Sequence, residues 1–229
     1  MPTSKNIFYL NKESNFALSL PVGWEVVYEN HYGEFPFFEP VRIVGPQGIK
    51  TKPYITIVTV FGGGTNNPLE YMEEAEREFR KLFMNFRLDS KNVHNIFLFP
   101  SAWMIFTYQN EAGFRKELNV SIFFVVRINE SKILELRFQF ICETDEQQAD
   151  KDFTDFERII NSLQIGAAGI RLPQLTLAGV KSCLFCDKPF TDGEKPNAMI
   201  NLKSHRLISI CDKCKDKPEN QPIDVLSDL

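Results

Sequence analysis

At 229 residues, with 43% apolar side chains and 21 phenylalanines, the chain is long enough to bury a substantial core, yet no stretch reaches the roughly 20 apolar residues a bilayer-spanning helix needs. A formal net charge of −4 argues against a protein that coats nucleic acid, because that binding is driven by dense cationic surface. The first ten residues hold one lysine and a four-residue apolar run, Ile7 to Leu10, too short for a secretory signal, so the expected setting is the cytoplasm.

Phe16 to Leu20 alternates apolar and small or polar residues and predicts a strand. Pro21 and Gly23 follow as a turn with Trp24 capping the core beside it, and a second strand runs from Glu25 to Tyr28. Residues 29–53 read as irregular, rich in Pro and Gly, with a short strand at Val41 to Val44. A firmer strand spans Tyr54 to Phe61. Gly62, Gly63 and Gly64 invite comparison with a phosphate-cradling loop, but no Gly-Lys-Ser/Thr ending follows, and Glu70, Glu73, Glu74, Glu76 and Glu78 would repel an anion. A plain loop is expected there. Asn67 and Pro68 supply a helix cap and first-turn proline. The spacing predicts a helix to about Phe86 with Leu69, Met72, Ala75, Phe79, Leu82, Phe83 and Phe86 facing inward.

Four strands are predicted next, at Val93 to Phe99, Ala102 to Tyr108, Arg115 to Arg127 and Ser131 to Cys142, joined by short turns and paired antiparallel. Thr144 caps a second helix to about Leu163, with Ala149, Phe153, Phe156, Ile159, Ile160 and Leu163 inward. One helix before four strands and one after them describes an α+β domain, an antiparallel sheet flanked by helices, rather than a parallel nucleotide-binding fold. The expected organisation is that domain over residues 1–165, a linker over 166–180 beginning at Gly166, and a small module over 181–229.

The module carries Cys183 and Cys186, then Cys211 and Cys214, two C-x-x-C pairs separated by 24 residues. Each pair presents two thiolates from a tight turn, and two turns together close a tetrahedral shell with no position left for water or substrate. Structural zinc is expected, with iron as the alternative metal for a Cys₄ set. His205 lies between the pairs but four cysteines already complete the shell. Cys142, at the end of an apolar strand, reads as a buried small hydrophobe. The module holds eight Lys/Arg against eight Asp/Glu, so it lacks the cationic excess of a nucleic-acid reader.

The segment F-x-L-x-L-P-x-G-W (Phe16 to Trp24), the long helix, the four-strand meander and the closing helix ending Ile160-Asn161-Ser162-Leu163-Gln164 resemble the PsbP-like superfamily over roughly residues 6–165. That group includes the extrinsic photosystem II subunit, the Mog proteins, DcrB-like lipoproteins and Eag chaperones. The resemblance implies an α-β-α sandwich whose members mostly bind other proteins and are not enzymes. Around the cysteines, Cys-x-Phe-Cys and Ile-Cys-Asp-x-Cys look like the N-terminal zinc domain of the unfoldase ClpX, a treble-clef or zinc-ribbon module. This stretch between the pairs is longer, however, and Pro218 is a poor start for the helix that follows there.

No catalytic constellation is legible. His31, His94 and His205 fall in unrelated contexts without a nucleophile elbow, and the acid pairs Glu73/Glu74 and Asp152/Asp155 are expected on solvent-facing helix surfaces. Tyr28, Tyr32, Phe35, Phe37 and Phe38 crowd an irregular segment; core packing is the expected use of most of these rings, and part of the segment is a candidate for a partner-binding patch. The expected function is therefore a cytoplasmic, non-enzymatic protein-binding or adaptor protein with a structural zinc site, its partner another protein and self-association left open. The alternatives are a nucleic-acid-associated protein using Lys203, Arg206, Lys213, Lys215 and Lys217, and an enzyme whose pocket the sequence does not disclose.

Overall fold

The computed structural model describes residues 6–11, 14–27, 41–47, 51–61, 65, 67–96, 99–127, 133–166, 169–172, 180–191, 194, 196–201, 206–215 and 217. The aromatic segment 28–40, the three glycines at 62–64, His31 and His205 lie outside them. In chain order the elements are β1 (Ile7–Asn11), β2 (Phe16–Leu20), β3 (Glu25–Val27), β4 (Val41–Val44), β5 (Tyr54–Phe61), α1 (Pro68–Leu82), β6 (Met84–Ile96), β7 (Phe99–Asn110), β8 (Gly113–Arg127), β9 (Ile133–Asp145), α2 (Ala149–Asn161), β10 (Gln164–Ile165), β11 (Ile170–Leu172), β12 (Asn197–Asn201), β13 (Arg206–Ile210) and α3 (Asp212–Lys215). They fall into two compact units. One is built on Pro21–Val125 and Leu134–Ile160, the other on Asn6–Leu20, Val126–Ile133 and Asn161–Leu229.

In the first unit the strands lie in the order β6-β7-β8-β9-β5-β4-β3, with antiparallel pairing between β6 and β7, β7 and β8, β9 and β5, β5 and β4, and β4 and β3. Asn67 caps α1 by accepting the Leu69 amide at 3.0 Å, and Tyr71, Met72, Ala75 and Phe79 bury against Ala102, Met104, Phe106, Tyr108 and Phe123. Alternation along β8 places Ser121 and Phe123, which meet α1 through Tyr71, on one face. Lys116, whose ammonium lies 5.9 Å over the Phe153 ring of α2, faces the other way, so the two helices cover opposite faces. Trp24 sits beside its turn, 2% exposed, with its ring edge-on to Phe156 at 5.7 Å and its indole N–H 3.4 Å from Asp155.

Several sequence expectations need correction here. Helix α1 stops at Leu82, not Phe86, because Phe83 turns extended and Asn85 takes a left-handed φ of 54° that asparagine tolerates. Phe86 then re-enters the same cluster from β6, its ring 5.3 Å from Phe106. Leu69 and Leu82, placed on the buried stripe by spacing, are 59% and 73% exposed, and Tyr71 takes the inward position. The strand expected from Val93 is part of β6, which begins at Met84 and carries two register shifts against β7. Before α2 a 3₁₀ turn, Glu146–Gln148, intervenes, and the helix ends at Asn161. Thr144 donates to Asp152, which is buried instead of solvent-facing, and Asp155 is half-buried under Trp24.

Arg115 of β8 is 1% exposed and bonds Glu143 through Nε at 2.8 Å and Asp145 through Nη1, both on β9. The same Nη1 reaches the Thr51 hydroxyl, Asp145 accepts the Thr51 amide at 3.1 Å, and the Tyr54 and Tyr108 hydroxyls both donate to Glu143 Oε2. Burial, then the adjacent Glu143 charge, raises the Tyr54 phenol; burial and the hydrogen bond to Glu143 do the same for Tyr108, so both stay protonated donors. Two residues along β8, Glu117 is buried with the Asn119 amide at 3.0 Å, and Asn119 accepts from Gln139, which also reaches the Tyr71 hydroxyl. Burial pushes the Glu117 carboxyl up to about 8, the nearby Glu143 charge adding to it and Asn119 opposing it.

The second unit contains a sheet in the order β1-β2-β10 and strands β11, β12 and β13 paired antiparallel in that order. Asn15, with a φ of 58°, donates from Nδ2 to the Gly169 carbonyl at 2.6 Å, and the Arg171 amide donates to Ser14 at 3.0 Å. Gly169 has a φ of 107°, and a Cβ there would lie 1.6 Å from the Ile200 carbonyl oxygen of β12. Among the described residues no helix is long and apolar enough to cross a membrane.

Two measurements follow from the buried charges. Arg115→Met leaves two carboxylates buried without their cation and is expected to lower stability by about 3–5 kcal/mol in urea unfolding. Lys52→Ala, which removes an exposed pair with Glu25, is expected to change it by less than about 1 kcal/mol. Glu117 is neutral in the folded chain up to about pH 8 but ionises near 4.5 when unfolded. Its contribution is thus fully present below about 4.5 and is lost as pH rises to about 8, at about 1.4 kcal/mol per pH unit. Glu117→Gln is expected to gain on the parent by roughly 4 kcal/mol across that window; parallel stability curves would refute the neutral carboxyl.

Candidate metal centre

The two cysteine pairs come from two different local structures of the second unit. The first is a turn closed by an antiparallel bridge between Ser182 and Pro189, with the Cys183 amide donating to Lys188 and the Asp187 amide to Cys183, both at 2.9 Å. Asp187 takes a φ of 53°, which lets the chain reverse immediately after Cys186. The second pair stands where β13 ends: Cys211 follows Ile210, and α3 carries Cys214 back over it, the Cys214 and Lys215 amides each 3.0 Å from the Cys211 carbonyl. Asn197 fastens this corner by donating to the Ile210 carbonyl and to Asp212. The Leu184 amide donates to the Ser209 carbonyl at 3.0 Å, and the Ser209 hydroxyl to Ser182, so the first turn is stitched to β13.

This stitching brings all four sulfurs within 4.8 Å of one another, with Cys186 and Cys211 at 3.7 Å. Four sulfurs about 2.3 Å from one tetrahedral ion lie about 3.8 Å apart, so the cluster is near the size such an ion demands. Cys183, Cys211 and Cys214 are buried with Met199, Ile208 and Ile210, and Phe190 packs against them. The electrostatics also fit a cation. Burial opposes ionisation of Cys183, but amide donors from Cys211, Phe185 and Cys186 outweigh it and hold the thiol at about 7. Burial and the neighbouring thiols push Cys214 up to about 12, and burial raises Cys211. Crowded thiols cannot all ionise alone, and a dication among them reverses that balance.

Other residues singled out in the sequence do not join this cluster. Cys142 is fully buried in β9, with burial and then the Glu117 charge holding its thiol well above the ordinary range. His94 lies on β6, its ring edge-on to Trp103 at 5.7 Å. Lys215 is paired with Asp212 at 3.1 Å. The sequence reading missed Lys188 and Glu194, which pair at 3.2 Å beside the first turn, and the exposure of Leu184 and Phe185 at its tip, 58% and 43%. The Lys188–Glu194 pair has a signal in the sequence, opposite charges six residues apart across a Pro-containing turn.

Loss of the second pair is expected to empty the site. The Cys211→Ser/Cys214→Ser variant should carry no metal by elemental mass spectrometry where the parent carries about one ion per chain, while thermal unfolding of the first unit is unchanged.

No family model matches the chain, and no curated protein matches it. Among solved structures, cyanobacterial PsbP from Synechocystis sp. PCC 6803 matches with a TM-score of 0.50 at 11% identity, over 72% of this chain and 95% of that one. LpqN of Mycobacterium tuberculosis, described as involved in cell envelope biogenesis, matches with a TM-score of 0.49 at 14% identity, over 65% of this chain and 81% of that one. A Pseudomonas aeruginosa protein of unknown function matches with a TM-score of 0.45 at 14% identity, over 69% and 94%. At such identities the likeness to PsbP extends to the fold alone: the chain has a PsbP-like α+β fold, with a four-cysteine cluster added at residues 183–214.

Proposed function

We propose that this chain is a cytoplasmic, non-enzymatic protein-binding or adaptor protein whose four-cysteine module, within residues 181–229, holds zinc as a structural ion. The exposure of Leu184 and Phe185 carries the reading. Among the described residues of the module, Ala198, Met199, Ile200, Ile208 and Ile210 are buried, while these two stand in solvent between two metal-ligating positions. A ligand-anchored turn presents them at little further loss of freedom on binding, which suits a contact with another protein. The likeness of the cysteine segments to the ClpX zinc domain agrees with metal binding by the quartet. Four thiolates around one ion leave no coordination position for a substrate, so the centre has no route to Lewis-acid chemistry. In the first unit the buried carboxylates have structural partners: Glu143 and Asp145 are locked on Arg115, and Glu117 on Asn119.

The test uses the Leu184→Ser/Phe185→Ser variant, which leaves all four thiols in place. Proximity crosslinking in the native host followed by mass spectrometry is expected to lose specific partners with the variant while zinc content stays at the parental level. An unchanged partner set at full zinc occupancy would remove this surface from the account.

A further inference from the structure

The four sulfurs differ in access. Cys183, Cys211 and Cys214 are 0%, 3% and 1% exposed, whereas Cys186 is exposed to solvent. Peroxides and soft electrophiles attack thiolate sulfur at rates set by its charge and by their reach to it, so burial protects three sulfurs and leaves one open. The first turn produces this asymmetry. It buries Cys183, is stitched to β13 by the Leu184 amide donating to the Ser209 carbonyl, and carries the chain through the exposed side chains of Leu184 and Phe185 to Cys186 before reversing at Asp187. Cys186 also has a partner of its own kind within reach, the Cys211 sulfur at 3.7 Å, and that sulfur belongs to the other pair.

The geometry points to Cys186 as a modification site: the sulfur a peroxide oxidises first, with Cys211 as the sulfur that closes a disulfide and dismantles the metal cluster. The inference deepens the zinc reading and rests on it. In the first step the Cys186 thiolate attacks one peroxide oxygen, the O–O bond breaks, hydroxide leaves, and the sulfur keeps the other oxygen as a sulfenic acid. In the second, the Cys211 thiolate attacks that sulfur, the S–S bond forms, and the S–O bond breaks to release a second hydroxide. Two thiolates and one hydrogen peroxide thus become one disulfide and two hydroxides, and the two electrons lost by sulfur reduce the peroxide. The link takes one donor from each pair. Cys183 and Cys214 are left, too few for a tetrahedral site, so the ion departs. Cys142 does not compete, being fully buried in the other unit.

The experiment treats the full-length, zinc-loaded chain with hydrogen peroxide, follows released zinc with a chromogenic chelator, and maps each cysteine by differential alkylation and mass spectrometry. Cys186 should lose its free thiol about tenfold or more ahead of Cys142. The Cys186–Cys211 disulfide and free zinc should rise together, and dithiothreitol with added zinc should reverse both. Zinc release without that crosslink, a Cys183–Cys186 disulfide in its place, or first oxidation at a buried sulfur would overturn the proposal. Metal content measured beforehand separates the two readings. A chain purified without metal overturns the zinc assignment, whereas a loaded chain whose Cys186 resists peroxide overturns this inference alone.

Discussion

A guanidinium held almost entirely out of water constrains the first unit more than any other single interaction. Arg115 lies on β8 and both of its carboxylate partners on β9, so sliding β8 by one residue would turn the guanidinium, and sliding β9 the two carboxylates, toward the opposite face and away from their partners. The penalty for burying the three charges is met only in the native register, where Thr51, Tyr54 and Tyr108 supply the remaining hydrogen bonds. Because β5 pairs with β9 and β7 with β8, this cluster ties together four strands at the middle of the sheet. Helix α1 then has a fixed row of rings on β7 to pack against.

The two units are held by different physics. The first has a conventional aromatic core on both faces of a broad sheet, and its polar network specifies register within a fold that apolar burial drives. The cysteine segment of the second unit rests on a small apolar group, Met199, Ile208, Ile210 and Phe190, and on four sulfurs. So little apolar surface stabilises a hairpin and a four-residue helix weakly, and an ion held by the four sulfurs would supply what the core lacks. That division of labour suits a module whose integrity is conditional, while the first unit's sheet persists without it.

What the residues disclosed and what they hid follow from the range of the interactions involved. Strands β2, β4 and β5 were legible because alternation is local, and the cap at Asn67 because Asn-Pro before an apolar repeat has one common meaning. The quartet was legible because cysteine spacing reports ligand geometry directly. The end of α1 was hidden, since Phe79, Phe83 and Phe86 keep helical spacing whether or not the backbone stays helical, and their rings meet the same cluster by either path. Strands β12 and β13 are too short and too evenly apolar to stand out. The ion cluster joins residues 28 and 30 positions apart, beyond any local pattern. On β8 the buried polar residues Arg115, Glu117, Asn119 and Ser121 share one face, opposite Leu118, Val120 and Ile122.

Gly169 bounds what evolution can do with the second unit. Any other residue would press its Cβ into the Ile200 backbone, and backbone cannot move aside as a side-chain tip can. A single atom therefore divides the variants that can pair β11 with β12 from those that cannot. Lineages sharing this arrangement are free to drift in the charged surface around the cysteines, yet at position 169 their genetic code has only the glycine codons to choose from.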